Sequence, residues 1–148
     1  VTSLRKLILD DVVTAVDGVA ALTGRVHRWR PTLPDTALPY AFVLSTGGTP
    51  VTTELGKERV RLTADILIVA EFDADTAGDD GIAVLDPLIT SVQQALMADE
   101  QWSSRALMTN AAGWRTVPPD PDRPNEVRAI VEATIDYRYD LGDPETDS

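Results

Sequence analysis

The chain has 148 residues, of which 43% are apolar and 25% charged, enough for one domain around one core and ordinary for a soluble globular fold. It contains no cysteine, which excludes a disulfide framework, a thiolate metal site and a Cys nucleophile, and no run of about 18 apolar residues that could cross a membrane. Its formal net charge of −11 opposes binding to nucleic-acid phosphates, which depends on Lys and Arg.

The start, VTSLRKLILDDVV, shows no signal-peptide core or cleavage site, so none is expected there, and the absence of cysteine fits a reducing cytoplasm. From Ser3 to Gly24 the sequence predicts one helix. Leu4, Leu7, Ile8, Val12, Ala15, Val16, Val19 and Leu22 recur at spacings of three and four, with Ser3 as the N-cap and Gly24 as the stop. A short extended piece around Val26 and a proline-bounded loop follow. Pro39 then opens a strand over Tyr40–Thr46, a position where a missing N–H costs little.

The stretch GGTPVTTELGKE reads as a long polar connection, Gly47–Glu58, between the two strands of a hairpin. It is expected to be mobile in the free subunit, since long loops without structure are usually functional or disordered. The second strand alternates Val60, Leu62, Ala64, Ile66 and Ile68 against Arg59, Arg61, Thr63, Asp65 and Leu67. An acidic loop, DADTAGDDG, precedes a second helix with Leu85, Leu88, Ile89, Val92, Leu96 and Met97 on one face. Pro87 leaves two readings of its start: Asp86 caps and Pro87 is the first helical residue, or the helix begins earlier and bends at the proline.

A short strand is expected near Arg105–Thr109, then turns. The clearest strand comes last: Val127, Ala129, Val131, Ala133, Ile135, Tyr137 and Tyr139 share one face, and Arg128, Glu132, Asp136 and Arg138 the other. The order predicts an α+β domain over residues 1–141, an antiparallel or mixed sheet with two helices on one face. Residues 142–148 are expected to form a flexible acidic tail.

No catalytic constellation emerges. The lone His27 has no carboxylate or nucleophile placed by sequence, and Arg25 and Arg28 beside it disfavour an imidazolium. DADTAGDDG fails the calcium-loop pattern, because Val84 stands where the closing Glu belongs. STGGTP lacks the Walker lysine. The tryptophans Trp29, Trp102 and Trp114 read as lying in connections, either capping the core or anchoring an interface. No cofactor and no metal are implied. Charge is uneven: residues 1–61 hold 8 Lys and Arg against 6 Asp and Glu, whereas residues 62–148 hold 5 against 18. The basic part of one copy could therefore meet the acidic part of another.

The segment order ALTGRVHRWRP, LPYAFVLSTGG, RVRLTADILIVAE, QQALMAD, GWRTVPPDPD and EVRAIVEATIDYRYD resembles the tail-terminator, or tail-completion, proteins of long-tailed bacteriophages and prophages, over nearly the whole chain. The resemblance implies a non-enzymatic structural subunit without cofactor. It would be assembled in the host bacterial cytoplasm and located in the virion tail. It would form a homo-oligomeric ring, expected to be a hexamer, that caps the tail tube and meets the head-completion protein, with DNA passing the lumen unbound. Neck and head–tail connector proteins are similar in size and composition, and a small-molecule-binding or hydrolytic domain using the acidic loops is a further alternative. On this reading Arg25, Arg28, Trp29, Arg30, Gly47, Gly48, Glu54 and Lys57 are the candidate docking residues. The arginines would pair with a neighbour's carboxylates and Trp29 would anchor.

Overall fold

A computed structural model of the chain describes residues 3–28, 38–54, 56–73, 75, 80–98, 102 and 105–140. Among these are helices α1 (Leu4–Asp17) and α2 (Gly81–Met97) and strands β1 (Val26–Arg28), β2 (Tyr40–Glu54), β3 (Lys57–Glu71), β4 (Met108–Thr116) and β5 (Glu126–Asp140). The strands form one mixed sheet in the order β1-β2-β3-β5-β4, in which only β1–β2 is parallel. Both helices cover the same face, so the α+β expectation holds. The acidic tail expected over 142–148 lies outside the described residues.

The alternation read from the sequence explains the layering. Val60, Leu62, Ala64, Ile66 and Ile68 of β3 and Ala129, Val131, Ala133, Ile135 and Tyr137 of β5 are all buried. They join Leu4, Ile8, Val12 and Val16 of α1 and Leu85, Ile89, Val92 and Leu96 of α2 in one core. The same period sends Arg59, Arg61, Thr63 and Asp65 to the helix-free face, where they are half-buried or exposed. A second, smaller cluster of Tyr40, Phe42 and Val69 lies on that face, with the His27 ring 5.9 Å from Phe42 and 6.4 Å from Tyr40. His27 thus occupies a short strand among aromatic neighbours.

Expectations are corrected at three elements, and the alternative left open at a fourth is decided. First, α1 stops at Asp17, not Gly24, because the Asp17 carboxylate accepts the Gly24 N–H at 2.8 Å and its carbonyl accepts the Thr23 hydroxyl at 2.9 Å. That fold-back leaves a short 3-10 turn, Ala20–Leu22, between them. The Ser3 cap is as expected, its hydroxyl accepting the Lys6 N–H at 3.2 Å. Second, α2 takes the earlier start: Asp80 caps it by accepting the Ile82 N–H at 3.0 Å, and Pro87 lies inside. The absence of an N–H at Pro87 removes the bond to the Ala83 carbonyl, yet the Leu85, Leu88, Ile89, Val92 and Leu96 stripe still packs. Met97, expected on that stripe, is exposed.

Third, Gly47–Glu58 is not a loop. β2 and β3 pair down to Glu54↔Lys57, so two residues join them, with Gly56 at φ +79° in the left-handed conformation that tight hairpins need. Bulges between Ser45 and Gly47 and between Pro50 and Thr52 absorb the residues that break the alternation, and Gly47, at φ +139°, supplies the unusual backbone of the first. Fourth, the strand expected near Arg105–Thr109 runs from Met108 to Thr116, and Trp114 belongs to it. A bulge between Ala111 and Gly113 hides its period in the sequence.

Candidate functional site

Three strands of 15 residues each, β2, β3 and β5, run side by side, with Lys57 paired to Asp140 at one end and Glu71 to Glu126 at the other. At about 3.3 Å per residue each strand spans roughly 50 Å, whereas the 14- and 17-residue helices reach only about 21 and 26 Å. The sheet is therefore longer than the helical layer, and its hairpin end, where residues 47–51 of β2 are all exposed, forms an arm with the end of β5.

Ion pairs hold the arm. On the helix-free face Asp136, 4% exposed, accepts from Arg59 Nη2 at 2.7 Å and from Arg61 Nε and Nη2 at 3.0 and 3.3 Å. Burial pushes the Asp136 carboxyl up, but the hydrogen bonds and charges of Arg61 and Arg59 outweigh it and hold the group below its ordinary range. Lys57 pairs with Asp140 at 2.9 Å, and the Tyr139 hydroxyl donates to Glu58 at 2.9 Å. Farther along the same face Asp65 and Glu132 stand directly opposite each other. Burial raises the Asp65 carboxyl, Glu132 adds to the shift, and Arg115, 3.7 Å from Glu132, works against it.

The described candidate docking residues fall along one side of the sheet. Arg25 precedes β1 and Arg28 ends it, Gly47 and Gly48 are exposed in β2, and Glu54 and Lys57 close the hairpin. Inside the chain Arg28 is ion-paired with Asp10 of α1, and Arg25 Nη1 donates to the Leu38 carbonyl at 3.0 Å. Trp29 and Arg30 lie outside the described residues.

The two described tryptophans divide the alternatives left by the sequence. Trp102 is 3% exposed and donates from Nε1 to Thr109 Oγ1 at 2.6 Å, so it closes the core. Trp114 is 49% exposed on the outer strand β4, and Leu107 and Met108 are exposed at the other end of that strand. Sequence reasoning missed this apolar edge and the Asp136 clamp. The GWRT run carried no clean period, and nothing in a single strand announces that Asp136 will meet two arginines from another. Trp102→Phe should cost about 1–3 kcal/mol by removing the buried indole hydrogen bond to Thr109 and part of the buried ring, whereas Trp114→Ala should change stability by no more than about 0.5 kcal/mol. Thermal unfolding of the two variants side by side checks the division.

A cleft of about 260 Å³ lies between the start of α2 and the β4–β5 connection, floored by Ile82, Leu85, Val117 and Val127. Its acids are committed: Asp80 caps α2, and Asp120 and Glu126 hold Arg128 at 3.2 and 3.3 Å. The Asp122 N–H and then Arg128 lower the Asp120 carboxyl. In the acidic loop, Asp73 accepts the Asp75 N–H at 3.0 Å. Among the described residues no three His, Asp or Glu side chains are grouped to hold a metal ion, and no helix is long and apolar enough to cross a membrane.

Comparison with protein-family models finds none that matches this chain, and no curated protein matches it either.

Proposed function

We propose that the protein is a structural ring subunit of a phage or prophage tail, which caps the tail tube, ends its polymerisation and presents its other side to the head-completion protein. The observation that carries this reading is the one-sided sheet with its projecting arm. Helices cover one face, while β2, β3 and β5 extend past them as a stiff, ion-paired tongue suited to reach a neighbour or the tube. The segment order shared with tail terminators supports it. The cleft beside α2 does not favour a hydrolytic reading, because each of its carboxylates is already engaged.

A subunit carrying −11 repels its own kind, and salt shortens that repulsion to about 10 Å at 0.1 M. The protein should therefore be monomeric when dilute at low salt and assemble as concentration or magnesium rises. Sedimentation velocity, followed by negative-stain microscopy with and without tail tubes, tests this. Rings of about six subunits seated on tube ends are the expected result. A single monomeric species under every condition, tubes included, would sink the reading.

A further inference from the structure

Among the described residues the sheet has two unpaired margins, and they match. Among the described residues β1 pairs with β2 only at Ala41–Val43, which leaves the outer edge of β2 from Leu44 to Glu54 without a partner strand. At the opposite margin β4 pairs, among the described residues, only inward, with β5. Unpaired strand edges are ready templates for another strand. We infer that the occupant of each edge is a second copy of this chain: β4 of one subunit pairs antiparallel with the arm segment Ser45–Glu54 of the next. The inference rests on the ring reading and supplies its joint.

Direction comes first. β2 and β5 run one way, β3 and β4 the other. Rotation about an axis along the strands preserves direction, so β4 necessarily meets a neighbour's β2 antiparallel, the slightly more stable ladder. The contact uses two different patches and so propagates head to tail, as a closed ring requires.

Register comes second. Reading across the sheet, Thr116 is level with Ala129, Ile68 and Ala41, and Met108 with Asp136, Arg61 and Thr49. Level pairing would drive the end of β4 into β1. Sliding β4 four rows toward the hairpin tip removes the clash, and closed sheets require such a stagger. An even slide also keeps every side chain on its own face. The fit is then complete: β4 spans the rows of Arg61 to Ile68, and Ser45–Glu54 spans the equally many rows of Lys57 to Ala64. Thr116 falls opposite the neighbour's Ser45, Met108 opposite Glu54, and the exposed Trp114 opposite Gly48. Gly48 is exposed and carries no side chain of its own, so the indole can lie over the neighbour's strand there, against Val60.

The chain's lack of cysteine makes the test clean. Ser45 and Thr116 are both exposed. Under assembly conditions and mild oxidation, S45C/T116C should give a disulfide-linked ladder on a non-reducing gel, ending at a closed ring. The control T49C/T116C, three rows out of register and about 10 Å away, should link at least about tenfold less, since disulfides need Cβ atoms about 4 Å apart. W114A, which carries no cysteine, should raise the concentration for half-assembly about tenfold or more with its melting temperature unchanged. Rings that form while S45C/T116C links no better than the control, or W114A assembling at the wild-type concentration, overturn the joint and leave the ring reading standing. Failure of the unmodified chain to assemble at all, with or without tubes, overturns both.

Discussion

Replacing Ile66 by alanine should lower the free energy of unfolding by about 2–5 kcal/mol. Ile66 is completely buried in β3, where it stands between Val43 of β2 and Val131 of β5, beneath the helical layer. Those neighbours belong to strands held by the full length of the ladder, so they are poorly placed to move in and fill the space. The cost is then the lost transfer of the apolar atoms plus the cavity left behind. Small domains are stable by only about 5–15 kcal/mol, so the loss is a large share of the total. Ile66→Val should cost about 0.5–1.5 kcal/mol. Urea unfolding checks both: the midpoint should fall in the order wild type, valine, alanine, with the slope against urea unchanged. An alanine variant as stable as the valine variant would show that the central rows can collapse, contrary to the packing described.

Asp136→Asn should cost about 1.5–3 kcal/mol, the range for hydrogen bonds to a charged group. The substitution keeps the shape of the side chain but removes the charge that Arg59 and Arg61 both address. The arginines are one-third to one-half exposed, so water takes back part of what the carboxylate gave them, and the cost stays at this level. The pH dependence is sharper than the magnitude. The arginines hold the folded-state pKa of Asp136 below its ordinary value of 3.8. Its contribution is therefore fully present above that ordinary value and disappears as pH falls through the lower, folded one. Wild type should lose stability over that acid window more steeply than Asp136→Asn, so the two curves converge at low pH. Asp65 works in the opposite sense: its folded-state value is raised, so its contribution falls as pH rises through the interval above 3.8. Parallel curves for wild type and Asp136→Asn would show that the clamp carries no charge-dependent stability.

The parts of the fold that were legible in the sequence are those in which one face of an element is buried along its length. The alternation in β3 and β5, the Leu85–Leu96 stripe of α2 and the Ser3 cap all follow from local period and local hydrogen bonding. The illegible parts share a cause. Bulges in β2 and β4 shift the period by one residue, and glycine or proline sits at or beside each, so strand sequence imitates loop sequence. Gly47–Glu58 reads as a connection for that reason, although its partners across the ladder are ordinary strand residues. The described docking residues chosen from sequence lie on the β2 side of the sheet. Trp114, on the other margin, could not be placed, because its exposure is decided by which strand ends up outermost. No pattern within Met108–Thr116 encodes that order.

The strand order also sets the sequence in which the sheet can be completed. β5 is the last described strand in the chain, yet it lies inside the sheet, between β3 and β4. Until β5 is inserted, β3 has a bare margin that includes Ile66 and Ile68, and β4 has nothing to hydrogen-bond. Lys57 finds Asp140 only across 83 positions of chain, so the closing pairing carries a large loop-closure cost that local helix formation cannot offset. Folding should thus be paced by arrival of the final strand, and a nascent chain that lacks it exposes an apolar strand edge to any other unfinished copy nearby.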